Sequence, residues 1–143
     1  MSLDDNPITN KKVGFTGTSK GMTDAQKFTV AWLLSKSPKE LHHGDCIGAD
    51  KDAHELARTN LVRIVGHPPI KSSNRACCEF DEKREPKPYL DRNHDIVDET
   101  EVLIACTDST VEAIRSGTWS TIRYARRLGR IILIVYPDGR INI

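Results

Sequence analysis

The chain has 143 residues, a length that fits a single domain. Hydrophobic residues make up 38% of it and charged residues 29%, and the two kinds are interspersed, which excludes a disordered chain. The 21 basic and 20 acidic side chains leave a net charge of +1, which disfavours nucleic-acid binding through a strongly basic surface. No apolar run approaches the roughly 20 residues of a membrane span.

The N-terminal segment has neither the basic region nor the apolar core of a signal peptide. We predict a flexible lead over residues 1–10 and one domain over residues 11–143. Cys77 and Cys78 are adjacent, and Cys46 and Cys106 lie inside or beside apolar stretches, so the cysteines do not form a disulfide framework. We expect reduced thiols in a cytoplasmic protein. Since no ligand-spaced Cys/His set occurs, no zinc site is expected.

Short apolar runs alternate with helical patterns along the chain. The first predicted strand is Lys12–Thr16. Thr23 then caps a helix that begins at Asp24 and ends near Ser37, because Pro38 stops it.

The second predicted strand, Glu40–His43, leads through a glycine-containing turn into a helix. That helix has its apolar stripe at Ala49, Ala53, Leu56 and Ala57. The third predicted strand is Leu61–His67. Residues 70–87 show no period and form a long loop, which is typical of lids and binding loops.

Pro88 suits the first position of a helix over Tyr89–Asp98. The fourth strand is predicted at Val102–Cys106, and a helix that opens at Ser116 runs from there to Gly129. The fifth strand is Ile131–Tyr136. Near-continuous apolar strands that alternate with helices indicate parallel pairing with helices on both faces. We therefore predict a three-layer Rossmann-like α/β fold whose five mostly parallel strands lie in the order 3-2-1-4-5.

Ligands of an open parallel sheet bind outside the carboxyl ends of the strands, where the strand order reverses. Here the turns that follow strands are rich in glycines, hydroxyls and acids, and those that precede strands are ordinary polar loops. Gly17, Thr18 and Ser19 follow the first strand and lead toward a helix start, where backbone N–H groups attract phosphate. This turn either cradles a phosphate or only connects the two elements.

The turn after the second strand carries glycines and carboxylates at a helix start. Its candidate binding residues are Gly44, Asp45, Gly48, Ala49 and Asp50. Asp45 and Asp50 would accept hydrogen bonds from ribose hydroxyls, or one of them would act as a general base. The simpler alternative pairs Asp50 with the helix N-terminus and with His54 one turn later. A metal ion held by His43, Asp45 and His54 is a third alternative.

Two further groups are candidates for anion binding. Ser116, Gly117 and Thr118 open the fourth predicted helix with two hydroxyls, although an ordinary Ser cap alone would explain Ser116. Arginines of the long loop and of the segments after it are candidates for phosphate or carboxylate contacts, and surface ion pairs are the alternative: Arg75, Arg92 and Arg115. Asn93 interrupts an apolar stripe, so it is either a structural amide or part of the site.

The segments GFTGTSKGMT, HHGDCIGADKDAH, HPP, KPYLDRN and RSGTWSTIRYAR, with a terminal PDG, together resemble the SLOG superfamily. This Rossmann-like group includes the DNA-processing protein DprA (SMF) and the Lonely Guy (LOG) phosphoribohydrolases. The likeness extends from about Lys12 to Gly139 and is greatest to small bacterial and phage members. It implies a site for a nucleotide or nucleotide-derived ligand, formed by His43–Asp50 and Ser116–Thr118.

The chain departs from the LOG signature PGGxGTxxE, in which the Glu is catalytic. Gly117-Thr118 matches the Gly-Thr pair, but Thr121 stands at the Glu position and the PGG is absent. The resemblance therefore implies a nucleotide pocket and leaves an enzymatic activity open.

Two main functions follow from these observations. The first is a sensor or carrier that binds a nucleotide or an ADP-ribose-like derivative and needs no other cofactor. The alternative is an enzyme that hydrolyses an N-glycosidic bond, with Asp45 as the catalytic carboxylate and His43 or His67 as the proton carrier. A third possibility, an interaction protein with a vestigial pocket, does not explain why glycines, hydroxyls and acids gather after the strands. The expected partner is a small molecule, and a homo-oligomer is compatible with the resemblance.

Overall fold

A computed structural model describes residues 6–143. Its core is one sheet with the strand order β4-β3-β2-β1-β5-β6-β7, in which only the β6–β7 pair is antiparallel. The strands are β1 (Lys12–Gly17), β2 (Glu40–His43), β3 (Ile64–Gly66), β4 (Glu82–Lys83), β5 (Val102–Cys106), β6 (Ile131–Val135) and β7 (Ile141–Asn142).

The predicted α/β class is confirmed, and the five predicted strands are β1, β2, β3, β5 and β6 in the predicted order. The structure adds β4 and β7 at the two edges of the sheet. Each of these strands has two residues and no buried side chain, so no hydrophobic pattern in the sequence indicates it.

Four helices cover the sheet: α1 (Asp24–Leu34), α2 (Ala49–Thr59), α3 (Tyr89–Asp98) and α4 (Gly117–Arg127). The first pair packs against one face of the sheet and the second pair against the other. The predicted capping box at the start of α1 is present, since Thr23 and Gln26 bond each other's backbone N–H groups. None of the helices in residues 6–143 has the length and hydrophobicity needed to cross a membrane.

The part of the predicted N-terminal lead that the structure describes, residues 6–10, is packed against the domain. Ile8 is fully buried in the core beside α1, and the Asn10 N–H donates to the Ser37 carbonyl. Burial of an isoleucine side chain contributes about 2 kcal/mol, and together with the hydrogen bonds of Thr9 and Asn10 it holds this short segment against the domain. Residues 1–5 of that lead lie outside the described residues.

The predicted long loop over residues 70–87 contains β4 and is attached to the domain over much of its length. Asp81 accepts hydrogen bonds from the Ile64 N–H and from Arg58 of α2, and the Phe80 ring packs against the core. These contacts hold Phe80 and Asp81 along the edge formed by β3 and α2, whereas the earlier part of the loop bonds the turn after β2, where the Ala76 N–H donates to the Asp45 carbonyl.

Candidate functional site

A cavity of about 700 Å³ lies at the carboxyl ends of β1, β2 and β5, where the strand order reverses. Helices α3 and α4 form its other walls. The predicted binding residues that line it are Gly17, Thr18, Ser19, Gly44, Asp50, Arg92, Asn93, Ser116, Gly117 and Thr118. Arg115 lines it too. These predicted residues come from four separate segments of the chain, which meet around one space because parallel strands end at the same edge of the sheet.

Two positions of the β2–α2 turn, Gly44 and Gly48, lie so close to neighbouring atoms that a larger residue would collide with them. A Cβ atom at Gly44 would collide with the guanidinium group of Arg92, and one at Gly48 would collide with the backbone of Ser19. Gly48 also has a φ of +91°, in the region that L-residues rarely adopt. Gly48 and Ala49 do not line the cavity. They join the two turns beneath it, since the Ala49 N–H donates to the Thr18 carbonyl.

Asp50 is a buried carboxylate in the cavity wall. Its Oδ2 atom accepts the backbone N–H groups of Gly44 and Cys46, both at 3.2 Å, which shapes the β2–α2 turn. Loss of hydration raises the pKa of Asp50 to about 6, although the nearby positive charge of Arg92 and the two N–H donors oppose this shift. A carboxyl group that titrates near neutral pH inside a cavity is suited to proton transfer.

We expect Asp50→Asn to be more stable than the parent protein above pH 7 and equally stable near pH 4. The folded-state pKa of Asp50 lies above its unfolded value of 3.8, so this group favours folding only while it is protonated. Its contribution is lost as the pH rises through 6, at a cost of about 3 kcal/mol. An asparagine keeps the acceptor oxygen without the charge. Urea unfolding of both proteins at pH 4, 5, 6 and 8 measures the difference, and a pH-independent difference would contradict the prediction.

Arg92 has its guanidinium group buried beside the cavity. Its Nε donates to Asn93 Oδ1 at 2.7 Å, and its Nη1 donates to the carbonyl oxygens of Gly44 and His67. Its Nη2 is 3.5 Å from the Cys46 sulfur. These partners are neutral, and within residues 6–143 the guanidinium group forms no ion pair. Asp50 is the nearby carboxylate that interacts with this charge, but it makes no direct hydrogen bond to the guanidinium group, so a bound anion would find free positive charge here.

The N-terminus of α4 forms the opposite part of the wall. Ser116 caps the helix by accepting the Trp119 N–H at 3.3 Å, and the preceding N–H groups, at Gly117 and Thr118, have no acceptor within the helix. The space around Gly117 is open, so a ligand can approach its backbone closely. Unpaired helix N–H groups and the helix dipole attract negative charge.

Thr121, at the position of the catalytic Glu of LOG enzymes, is buried, and its hydroxyl donates to the Gly117 carbonyl at 2.9 Å. The Thr121 side chain therefore bonds within α4 and supplies no acid or base to the cavity.

The structure places Asp45 and Arg75 away from the cavity, in contrast to the expectation for both residues. The Asp45 carboxylate is fully buried, where it accepts Arg75 Nε at 2.6 Å and the Cys78 N–H at 2.9 Å. Asp45 has a φ of +57°, which turns its side chain from the cavity toward residues 75–78. The Asp45–Arg75 pair thus attaches the long loop to the β2–α2 turn.

His43 also lies outside the cavity, on the face of the sheet covered by α2. The Asp45 N–H donates to His43 Nδ1 at 3.0 Å, so the proton of the neutral ring is on Nε2, 2.9 Å from His54 Nδ1. Burial holds the pKa of His43 well below its usual value. His54 therefore pairs with His43 and not with Asp50 as one alternative expected.

The hydrogen bonds of His43 disfavour the alternative in which this residue binds a metal ion. The predicted ligands in that alternative are His43, Asp45 and His54, but the Asp45 carboxylate is paired with Arg75. The residues whose possible ligand atoms lie within 4.8 Å of one another are His43, His54 and Cys78. A metal bound at His43 Nε2 would require the ring proton on Nδ1, where the Asp45 N–H already donates. The arrangement therefore fits a hydrogen-bonded histidine pair better than a metal centre.

His67 belongs to a second buried histidine pair, on the other face of the sheet. Its Nε2 is 2.8 Å from His42 Nδ1, while His42 Nε2 donates to the Glu40 carboxylate. Glu99 lies 3.8 Å from His67 Nδ1, so His67 stands between His42 and Glu99. Burial and nearby positive charges lower the pKa of His67 to about 3. His67 does not line the cavity. Its backbone carbonyl accepts a hydrogen bond from Arg92, which does.

Several cavity residues were not among the predicted binding residues: Lys20, Cys46, Ile47, Asn74, Tyr89, Thr107, Asp108, Ala113 and Trp119. Cys46 and Thr107 follow strand ends, and Tyr89 begins a helix, so position along the chain is a signal for these three. Trp119 belongs to the apolar stripe of α4 in the sequence, and it packs in the core between α4 and the sheet. Its exposure to the cavity depends on the packing of α4 against α3.

Neither a protein-family model nor a curated protein matches this chain. Its fold is similar to the solved structure of the molybdenum cofactor binding protein from the phototrophic bacterium Rippkaea orientalis, with a TM-score of 0.70. The match covers 90% of this chain and 78% of that protein at 18% sequence identity. At this identity the likeness shows a shared fold, and the resemblance of the sequence to the SLOG superfamily stays a prediction.

Proposed function

We propose that this protein binds a phosphate-bearing small molecule, a nucleotide or a nucleotide derivative such as ADP-ribose, in the cavity at the carboxyl ends of the strands. The observation that carries the proposal is the buried guanidinium group of Arg92, which has only neutral partners within the described residues. A phosphate at this position would give the guanidinium group a directly bonded anion.

The other walls of the cavity fit the remaining parts of such a molecule. The N–H groups at Gly117 and Thr118 would hold a phosphate, with Arg115 adding positive charge at the cavity. Lys20 also lines the cavity, but its ammonium group is paired with Asp108 at 3.2 Å. Only Oδ2 of Asp50 is used by the backbone, so its other oxygen would accept a ribose hydroxyl. A volume of about 700 Å³ is within the range of small-molecule sites.

The structural neighbour supports a small-molecule ligand in general terms. The name of that protein states that it binds a molybdenum cofactor, which makes a sensor or carrier role reasonable for a chain with the same fold. The resemblance to the SLOG superfamily supports a nucleotide-derived ligand more specifically.

Isothermal titration with AMP, ADP-ribose, ribose 5-phosphate and adenosine tests the proposal. We expect heat of binding with the phosphorylated compounds and at least about 30-fold weaker binding of adenosine, which has no anion to offer Arg92. Equal affinities for AMP and adenosine, or no binding of any compound, would contradict it.

Asp50 supports a second candidate function, the hydrolysis of an N-glycosidic bond. The carboxyl group lies in the cavity wall, and its pKa of about 6 suits a general acid or base. In this reaction the bond from C1′ of the sugar to the base breaks, water adds to C1′, and the leaving base takes up a proton. Chromatography of AMP and ADP-ribose incubated with the parent protein would show free adenine. Adenine release that persists unchanged in Asp50→Asn would remove Asp50 from the mechanism.

A further inference from the structure

Two buried side-chain polar atoms stand out because they have no hydrogen-bond partner in the part of the chain that the structure describes. They are the hydroxyl oxygen of Tyr89 and the indole Nε1 of Trp119. Tyr89 begins α3 and Trp119 lies in the first turn of α4, so the atoms come from two different helices. Both residues line the cavity.

An unpartnered buried donor destabilises a protein, so native structures contain few of them. Elsewhere in residues 6–143 the buried side-chain donors and acceptors are paired. Gln26 is an example: it is almost fully buried, and its amide donates to the carbonyls of Thr107 and Val135. That the two unpaired atoms both occur at one cavity indicates a common cause, namely a partner that belongs in that cavity.

Trp119 supports this interpretation with its burial and its chemistry. The side chain is only 3% exposed, yet the residue lines the cavity, where its indole N–H can act only as a donor. Tyr89 lies beside Arg92, whose guanidinium carbon is 5.3 Å from the phenol ring. The phenol ring is therefore close to the positive charge to which the proposed phosphate would bind.

We infer that the cavity recognises its ligand through acceptor oxygens that bond to the Tyr89 hydroxyl and the Trp119 indole N–H, which makes these two side chains specificity-determining donors. This inference rests on the proposed function. It specifies which chemical groups the ligand presents to α3 and α4. A ligand that meets both donors carries acceptor oxygens there, as phosphoryl groups and carbonyl groups do. Because the two atoms are buried, we expect a small movement of the rings when the ligand binds.

The two tryptophans of the chain make a direct experiment possible. Trp32 is on α1, outside the cavity, so Trp32→Phe leaves Trp119 as a single fluorescent reporter. We expect AMP and ADP-ribose to change the fluorescence of this variant, and the titration gives a dissociation constant for each. Addition of Tyr89→Phe is expected to weaken binding by about 3- to 10-fold, the effect of one lost hydrogen bond.

Tyr136→Phe is the matched control, since Tyr136 lies outside the cavity and its hydroxyl accepts a hydrogen bond from Asn142. It is expected to change the dissociation constants by less than about 2-fold. Tyr89→Phe should leave the urea midpoint of unfolding unchanged or higher, because an unpaired hydroxyl is removed. Trp119→Phe, measured by calorimetry, should weaken binding like Tyr89→Phe.

The outcomes separate the two claims. No response to either nucleotide overturns the proposed function and this inference with it. Clear binding whose affinity is unchanged in both Tyr89→Phe and Trp119→Phe overturns this inference and leaves the proposed function standing. A lower urea midpoint of Tyr89→Phe with unchanged affinity would show that the hydroxyl serves the fold alone.

Discussion

Replacement of Arg92 by methionine is expected to weaken AMP and ADP-ribose binding by at least about 30-fold, because loss of a buried charged partner costs several kcal/mol. Methionine fills similar space without charge or donors. Since the carbonyl oxygens of Gly44 and His67 also lose their donor, the free energy of unfolding should fall by about 2 kcal/mol. Calorimetry and urea unfolding measure the two effects.

Two further variants separate charge from geometry at this position. Arg92→Lys keeps the positive charge but loses the planar fork, so we expect its affinity to lie between those of the parent and Arg92→Met. Arg127→Met makes the same chemical change at an exposed position outside the cavity and should bind both nucleotides normally. Unchanged affinity in Arg92→Met would remove the observation on which the proposed function depends.

The second large expected effect is a loss of stability in mild acid. His42, His43, His54 and His67 are buried as neutral rings, and desolvation lowers the pKa of each below 6.5. The unfolded chain therefore binds more protons than the folded protein below that pH, and stability is lost as the pH falls. For His67, whose folded pKa is about 3, the loss at pH 4.5 is about 3 kcal/mol.

Urea unfolding between pH 7.5 and pH 4.5 tests this expectation. Asp50 acts with the opposite sign over the lower part of this range, so the series is best run in both the parent and Asp50→Asn. His67→Gln keeps an amide donor for His42 and should reduce the dependence of stability on pH. His94→Gln, at a partly exposed position where the ring stacks on Tyr124, is the control. A flat stability profile in this range would contradict the protonation states assigned to the two histidine pairs.

The contrast between the two aspartates of the β2–α2 turn affects the choice between the candidate functions. Asp45, the carboxylate first expected to be catalytic, neutralises Arg75 in the protein interior. Asp50 reaches the cavity and has a pKa near the pH at which many enzymes work. An activity on glycosidic bonds would therefore depend on Asp50, whereas the proposed binding would depend chiefly on Arg92.

The amino-acid sequence by itself determined the architecture of this protein. Apolar runs such as Val102–Cys106 identify buried parallel strands, and signals such as the Thr23–Gln26 capping box mark where helices begin. These are local properties of pattern and propensity, so they are visible without the fold. They also predict that the turns after strands meet at one edge, because parallel strands all end there.

Only the tertiary structure decided which side chains of those turns face the cavity. Asp45 and Asp50 are five residues apart in similar sequence surroundings. The positive φ at Asp45 and its bond to Arg75, 30 positions away, turn the Asp45 side chain into the protein interior, whereas Asp50 stays in the cavity wall. Arg75 and Arg92 are likewise equal candidates for anion contacts when only the sequence is considered. The fold pairs Arg75 with the Asp45 carboxylate and surrounds the Arg92 guanidinium group with neutral hydrogen-bond partners. Side-chain direction in a turn depends on backbone angles and distant contacts, which hydrophobic patterns do not encode.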